Sequence, residues 1–135
     1  MVKGWGPGGT PGEAGSRAEA LALRHLQAAG LSLVERNYRV ARGPGARAGE
    51  VDLILREPDG TLVFVEVRAR SAPAGALGGA WGGAAASIGR AKQRRIVYAA
   101  QHWLLRLSAL PPCRFDVVAI DGDRVEWLRG AFDAS

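Results

Sequence analysis

The segment from Gly49 to Arg68, GEVDLILREPDGTLVFVEVR, leaves the chain little freedom. Two runs rich in Val, Leu and Ile flank Pro58-Asp59-Gly60, the composition of a three-residue hairpin loop. Pro presets φ for the first turn position, Asp suits the second, and Gly accepts the left-handed conformation that forms a G1 bulge. With residues 58–60 as the loop, residues that face each other across the hairpin have numbers adding to 118. Ile54 then opposes Phe64, Asp52 opposes Glu66, and Glu50 opposes Arg68. Side chains alternate along a strand, so these six share one face.

Directly opposed residues hold their Cβ atoms roughly 4.5–5.5 Å apart, and like charges so placed destabilise a sheet. A divalent cation shared by Asp52 and Glu66 removes the conflict, since Mg²⁺ is held by one or two carboxylates together with phosphate oxygens. Arg68 points a fixed positive charge at the same spot. The bland reading is a solvated hairpin face, with Glu50–Arg68 a surface ion pair of little weight. A register slip of one residue would also separate Asp52 from Glu66. The residues alone leave both readings open.

The rest of the chain frames this hairpin. Residues 1–15 contain six glycines and two prolines, too little to bury, and are expected to form a flexible tail. Ser16 and Glu19 have the spacing of a capping box, which predicts a helix from Ser16 to a stop at Gly30. LSLVERNYRV (31–40) reads as a strand and ARGPGARAG as a basic loop. The hairpin follows, then a long small-residue stretch over 71–87 of a kind that is often functional. Residues 88–107 predict a helix that Pro111-Pro112 cannot continue, and RFDVVAI and RVEWL predict two closing strands around a DGD turn. The order is α-β-β-β-α-β-β. It predicts one α/β or α+β domain over 16–130, mostly β at its centre with helices packed on it, and a short tail over 131–135.

Composition narrows the partners. The 135-residue chain carries 18 Lys and Arg against 13 Asp and Glu, a formal charge of +5 that suits a polyanion. The first half of the second helix holds Arg90, Lys92, Gln93, Arg94 and Arg95, either a phosphate-binding face or a solvated one. One cysteine, Cys113, permits no intrachain disulfide and no four-cysteine zinc site, and it reads as packing rather than as a nucleophile. No stretch is long and apolar enough to span a membrane, and the N-terminus lacks a signal-peptide core, so a cytoplasmic location and no membrane partner are expected. His25 and His102 read as structural. Trp81 would either stack on a base or pin its loop to the core. For Asp116 the sequence indicates no role.

Acid, strand, acid-x-basic on a hairpin, after a helix bearing a glutamate, resembles the site pattern of the PD-(D/E)XK nucleases, which have the restriction-endonuclease-like fold. More closely, the chain resembles the small bacterial family typified by YraN. The likeness runs from Gly15 to Ile120 through G-S-R-A-E-A, E-R-N-Y-R, G-E-V-D-L-I, V-F-V-E-V-R, the spacing Lys92 to Arg95, and R-F-D-V-V. The resemblance implies a mixed central sheet flanked by helices. It implies Asp52 and Glu66 as metal-binding carboxylates with Glu19 as a helper, a Mg²⁺ or Mn²⁺ cofactor, and Arg68 in the place of the superfamily's lysine. Lys92 and Gln93 match helix positions that reach toward the cleft. Glu19 has a second reading, as the capping-box partner of Ser16.

These implications amount to a metal-dependent endonuclease acting on DNA, branched or damaged DNA included. Nucleases of this fold often act as homodimers, although no interface is legible here. Arg68 departs from the pattern: a guanidinium keeps its proton and cannot serve as a base. Two competing classes follow. One is a nucleic-acid-binding module that keeps the fold without turnover; the other is a protein-interaction partner with no nucleic-acid role.

Overall fold

The computed structural model describes residues 11–41, 48–69 and 88–134. Trp81 and the 71–87 stretch lie outside the described residues, as does most of the basic loop after Val40. Among the described residues, two helices and five strands follow the expected order: α1 (Pro11–Ala28), β1 (Ser32–Val40), β2 (Gly49–Arg56), β3 (Leu62–Ala69), α2 (Arg90–Leu104), β4 (Cys113–Asp121) and β5 (Arg124–Phe132). The strands form one sheet in sequence order, antiparallel except for the parallel β3–β4 pair that α2 connects. This is a mixed α/β fold, and a parallel neighbour requires such a crossover.

Element boundaries differ from the sequence-based expectation at both ends. α1 begins at Pro11, within the stretch expected to be a tail. Proline suits the first turn because its missing N–H has no partner to lose there. Ser16 is therefore inside the helix, and the capping-box reading of Glu19 falls away. At the other end β5 extends to Phe132, past the short strand expected, and takes in residues assigned to a C-terminal tail.

The hairpin forms as its turn chemistry dictates. Gly60 has φ +96°, its N–H donates to the Glu57 carbonyl at 2.9 Å, and the Asp59 carboxylate accepts the Thr61 N–H at 2.9 Å. Arg56 faces Leu62, Leu55 faces Val63, Ile54 faces Phe64 and Leu53 faces Val65. Alternation then sorts the strands between two cores. Leu53, Leu55, Val63 and Val65 pack with Ala18, Ala22 and Leu26 of α1, while Ile54, Leu62 and Phe64 pack with Ile96, Ala99 and Trp103 of α2. Each fully buried Leu, Ile, Val or Phe contributes about 1.5–3 kcal/mol, so a one-residue slip would exchange both cores at once.

Gly49 sets how closely α2 lies on the sheet. A Cβ placed there would fall 2.5 Å from the Arg95 carbonyl oxygen and 3.1 Å from the Ala99 nitrogen. That close approach carries the first turns of α2 over the open end of the hairpin.

Candidate functional site

At that open end stand Asp52 and Glu66, one step beyond the last ladder pair. The register that unites Leu53 with Val65 extends to them, and here a side chain replaces the ladder: Asp52 Oδ2 accepts the Val67 N–H at 2.8 Å. Both acids are buried, at 9% and 7% exposure, in a region otherwise built of apolar strand. Lys92 reaches in from α2 and places Nζ 3.5 Å from Glu66 Oε2. Glu66 Oε1 is buried with no hydrogen-bond partner.

The electrostatics follow from this crowding. Burial, and then the Asp52 charge, push the Glu66 carboxyl up to about 7, with Lys92 acting in the opposite direction. Burial also raises Asp52, opposed by the Val67 amide. Glu19 on α1 lies close enough to Asp52 to feel its charge, and burial followed by that repulsion raises its carboxyl as well. Asp52 is also raised by the Glu50 charge and lowered by Lys92 of α2, while its own charge reaches Glu19 on α1.

An unpartnered acceptor beside a second buried carboxylate fits a hard divalent cation. Among the described residues no set of three or more His, Cys, Asp and Glu side chains converges to hold a metal ion. Glu19 thus stands beside the Asp52–Glu66 pair rather than within a three-carboxylate cluster. Water and phosphate oxygens would complete such a coordination sphere, as is usual for Mg²⁺.

The remaining expected residues divide. Arg68 lies exposed on β3, and Lys92 of α2 makes an ion pair with Glu66. Glu50 forms an ion pair with Arg39 of β1 at 3.8 Å. Gln93 is engaged locally: its Nε2 donates to the Ile88 carbonyl at 2.8 Å, supporting the start of α2 where Gly89 offers no side-chain cap. Arg90, Arg94 and Arg95 are exposed on the outer surface of α2. Two shallow grooves, of about 210 and 240 Å³, meet at Arg94 and Tyr98; Arg90 lines the first, Ala48 and Arg95 the second.

Other candidates prove structural. Asp116 is fully buried and saturated. Arg114 Nε donates to its two oxygens at 3.0 and 3.1 Å, Trp127 Nε1 at 2.9 Å, and the Gly130 N–H at 2.9 Å. Arg114 in turn pairs with Glu57, so the network ties the hairpin turn to β4 and β5. His102 Nδ1 is 2.6 Å from the Tyr38 hydroxyl, and His25 meets the Trp127 ring edge-on. Cys113 was expected to pack; instead it is exposed at the start of β4. Asn37 was not singled out by sequence, although an Asn within a strand, where that residue is depleted, was a signal.

Known proteins place the chain in a family. Residues 18–120 match the family described as Uncharacterised protein family UPF0102. A UPF0102 protein of Acidovorax sp. (strain JS42) is 63% identical over 134 residues, covering 99% of this chain and 95% of the relative. Another, from Paracidovorax citrulli, is 59% identical over 134 residues, covering 96% and 93%. A third, from Methylibium petroleiphilum, is 59% identical over 121 residues. The chain belongs to the UPF0102 family, the YraN-like proteins its sequence motifs resemble.

Proposed function

We propose that this protein is a divalent-metal-dependent phosphodiesterase acting on DNA, with Asp52 and Glu66 holding the cation. The observation that carries this reading is a pair of buried carboxyls held against each other in an otherwise apolar hairpin, with Glu66 Oε1 given no donor from the surrounding protein. An unsatisfied buried carboxylate is costly, and a site that keeps one has a use for it. A basic helix lies directly over the pair, with no acidic residue in its first turn.

Within this reading Mg²⁺ or Mn²⁺ would supply Lewis acidity toward water and the scissile phosphate. The chain's own groups do the rest. The Val67 amide orients Asp52 by donating to Oδ2. Lys92 Nζ, beside Glu66 Oε2, sits where it would meet a phosphate oxygen and offset charge developing there. Arg68, exposed at the rim, donates hydrogen bonds to non-bridging oxygens but accepts no proton. Arg90, Arg94 and Arg95 bind the backbone further along the strand.

One observation favours a second reading, a nucleic-acid-binding module without turnover. Lys92 already neutralises Glu66 in part, so the pair has an internal counter-ion. Calorimetric titration of Mn²⁺ and Mg²⁺ into the metal-free protein, beside Asp52→Asn, separates the two. Saturable binding lost in the variant, followed by metal-dependent cleavage in a panel of DNA substrates, is the result the first reading requires. Absence of binding even with a non-cleavable DNA present would leave the binding module.

A further inference from the structure

We propose that Asn37 is a positioning residue of this site, holding the Glu19 carboxylate of α1 in place beside Asp52. The inference rests on the cation-site reading above and adds to it a residue from β1. Asn37 has φ +54° within a strand, the only positive φ at a non-glycine position among the described residues. Left-handed backbone costs an L-residue roughly 1–2 kcal/mol, less for Asn than for most.

The usual cause, an inserted residue, does not apply. The β1–β2 register shifts between Leu33 and Glu35, yet Arg36 faces Leu53 and Tyr38 faces Val51 with no shift across Asn37. Asn37 therefore falls opposite Asp52, a position that the ladder skips without changing register. What the conformation accompanies is a side-chain contact. With its nitrogen toward α1, the Asn37 amide donates to Glu19 Oε1 at 3.2 Å and Oε2 at 3.3 Å, and only that orientation gives the amide complementary neighbours.

The contact works against a real opposing force. Glu19 is partly buried and repelled by Asp52, and the Asn37 amide is the main group pulling its carboxyl back toward the ionised form. Asp52 is thus flanked by Asn37 on one neighbouring strand and Glu66 on the other, while Asn37 fixes a third carboxylate behind it. Groups that orient a metal site from outside the ligand set commonly change metal affinity by about 10–100-fold when removed.

The test is a double-mutant cycle read by Mn²⁺ calorimetry, with the electron paramagnetic resonance spectrum of bound Mn²⁺ as a second readout. Asn37→Gly retains access to the left-handed backbone and deletes only the amide. It should weaken Mn²⁺ binding about tenfold, as should Glu19→Gln, and Asn37→Gly should add almost nothing in the Glu19→Gln background. The Mn²⁺ spectrum should change in each single variant and no further in the double. If Asn37→Gly binds as the parent does while Asp52→Asn does not bind, Asn37 is a turn residue only, and the cation-site reading survives. Equal losses with Glu or Gln at position 19 would also overturn the inference, because the effect would not run through Glu19. If the parent protein binds no Mn²⁺, both readings fall together.

Discussion

Two buried acidic centres in this molecule make opposite use of the same residue type. Asp116, on β4, is fully enclosed and takes hydrogen bonds from Arg114, Trp127 and Gly130. Asp52 and Glu66, at the open end of the β2–β3 hairpin, are almost as buried but share one backbone amide and one lysine. One buried Glu66 oxygen receives no donor from the surrounding protein. Burial alone therefore does not set how well a carboxylate is satisfied: a saturated acid stabilises its surroundings, and an under-satisfied pair is a standing electrostatic cost that a cation or a proton would relieve.

Removing Asp116 should produce the largest effect. Asp116→Ala leaves Arg114 facing Glu57 alone and abandons the Trp127 and Gly130 donors. Losing one partner of such a network costs about 3–5 kcal/mol, so a thermal melt should show severe destabilisation. A melting temperature close to the parent's would show that the two centres are not so different after all.

Glu66→Gln should move stability the other way. The folded-state carboxyl lies near 7, above its ordinary value of 4.5, so the native state binds the proton more tightly than the unfolded chain. This group's contribution is therefore most favourable below about pH 4.5 and is lost as pH rises through about 7. In the metal-free protein, Glu66→Gln should be more stable than the parent at pH 8 by on the order of 2 kcal/mol, and its stability should vary less between pH 5 and pH 7. Denaturant titrations at both ends of that range check the sign.

Gly49→Ala tests whether the close approach of α2 holds the site together. The added Cβ meets the Arg95 carbonyl, and overpacking of this kind costs about 1–3 kcal/mol. The Lys92–Glu66 contact should loosen with it, which amide and side-chain chemical shifts would report. Arg94→Ala should have the smallest effect on folding, within about 0.5 kcal/mol, because the side chain is exposed. If DNA lies along α2, the same substitution should lower the salt dependence of binding by about one unit of slope; an unchanged slope would place the nucleic acid elsewhere.

Much of this contrast was legible before any coordinates. The opposition of Asp52 and Glu66 follows from Pro58-Asp59-Gly60 and the alternation around it, since a three-residue turn leaves one register that buries both faces of the hairpin. The basic character of α2 was plain in its residues. The roles within it were not: Lys92 turns inward to Glu66, Gln93 braces the helix start, and the arginines stay outside. A helix written as a string does not say which side meets the sheet when basic and apolar positions interleave so closely. α1 starts at Pro11 rather than Ser16 because proline fits a helix's first turn, and a serine with cap chemistry can equally lie inside a helix.

Local chemistry, then, determined the elements, their order, the hairpin register and the placing of two acids face to face. Tertiary structure alone decided which acid is satisfied. Asp116 meets its partners across β4 and β5, Asn37 meets Glu19 across two layers, and Lys92 meets Glu66 across the crossover from β3 to α2. Turn geometry acts over a few residues and can be read from them. Whether a buried charge finds a donor depends on groups far away in the chain, which only the packed sheet and helices bring within hydrogen-bonding distance.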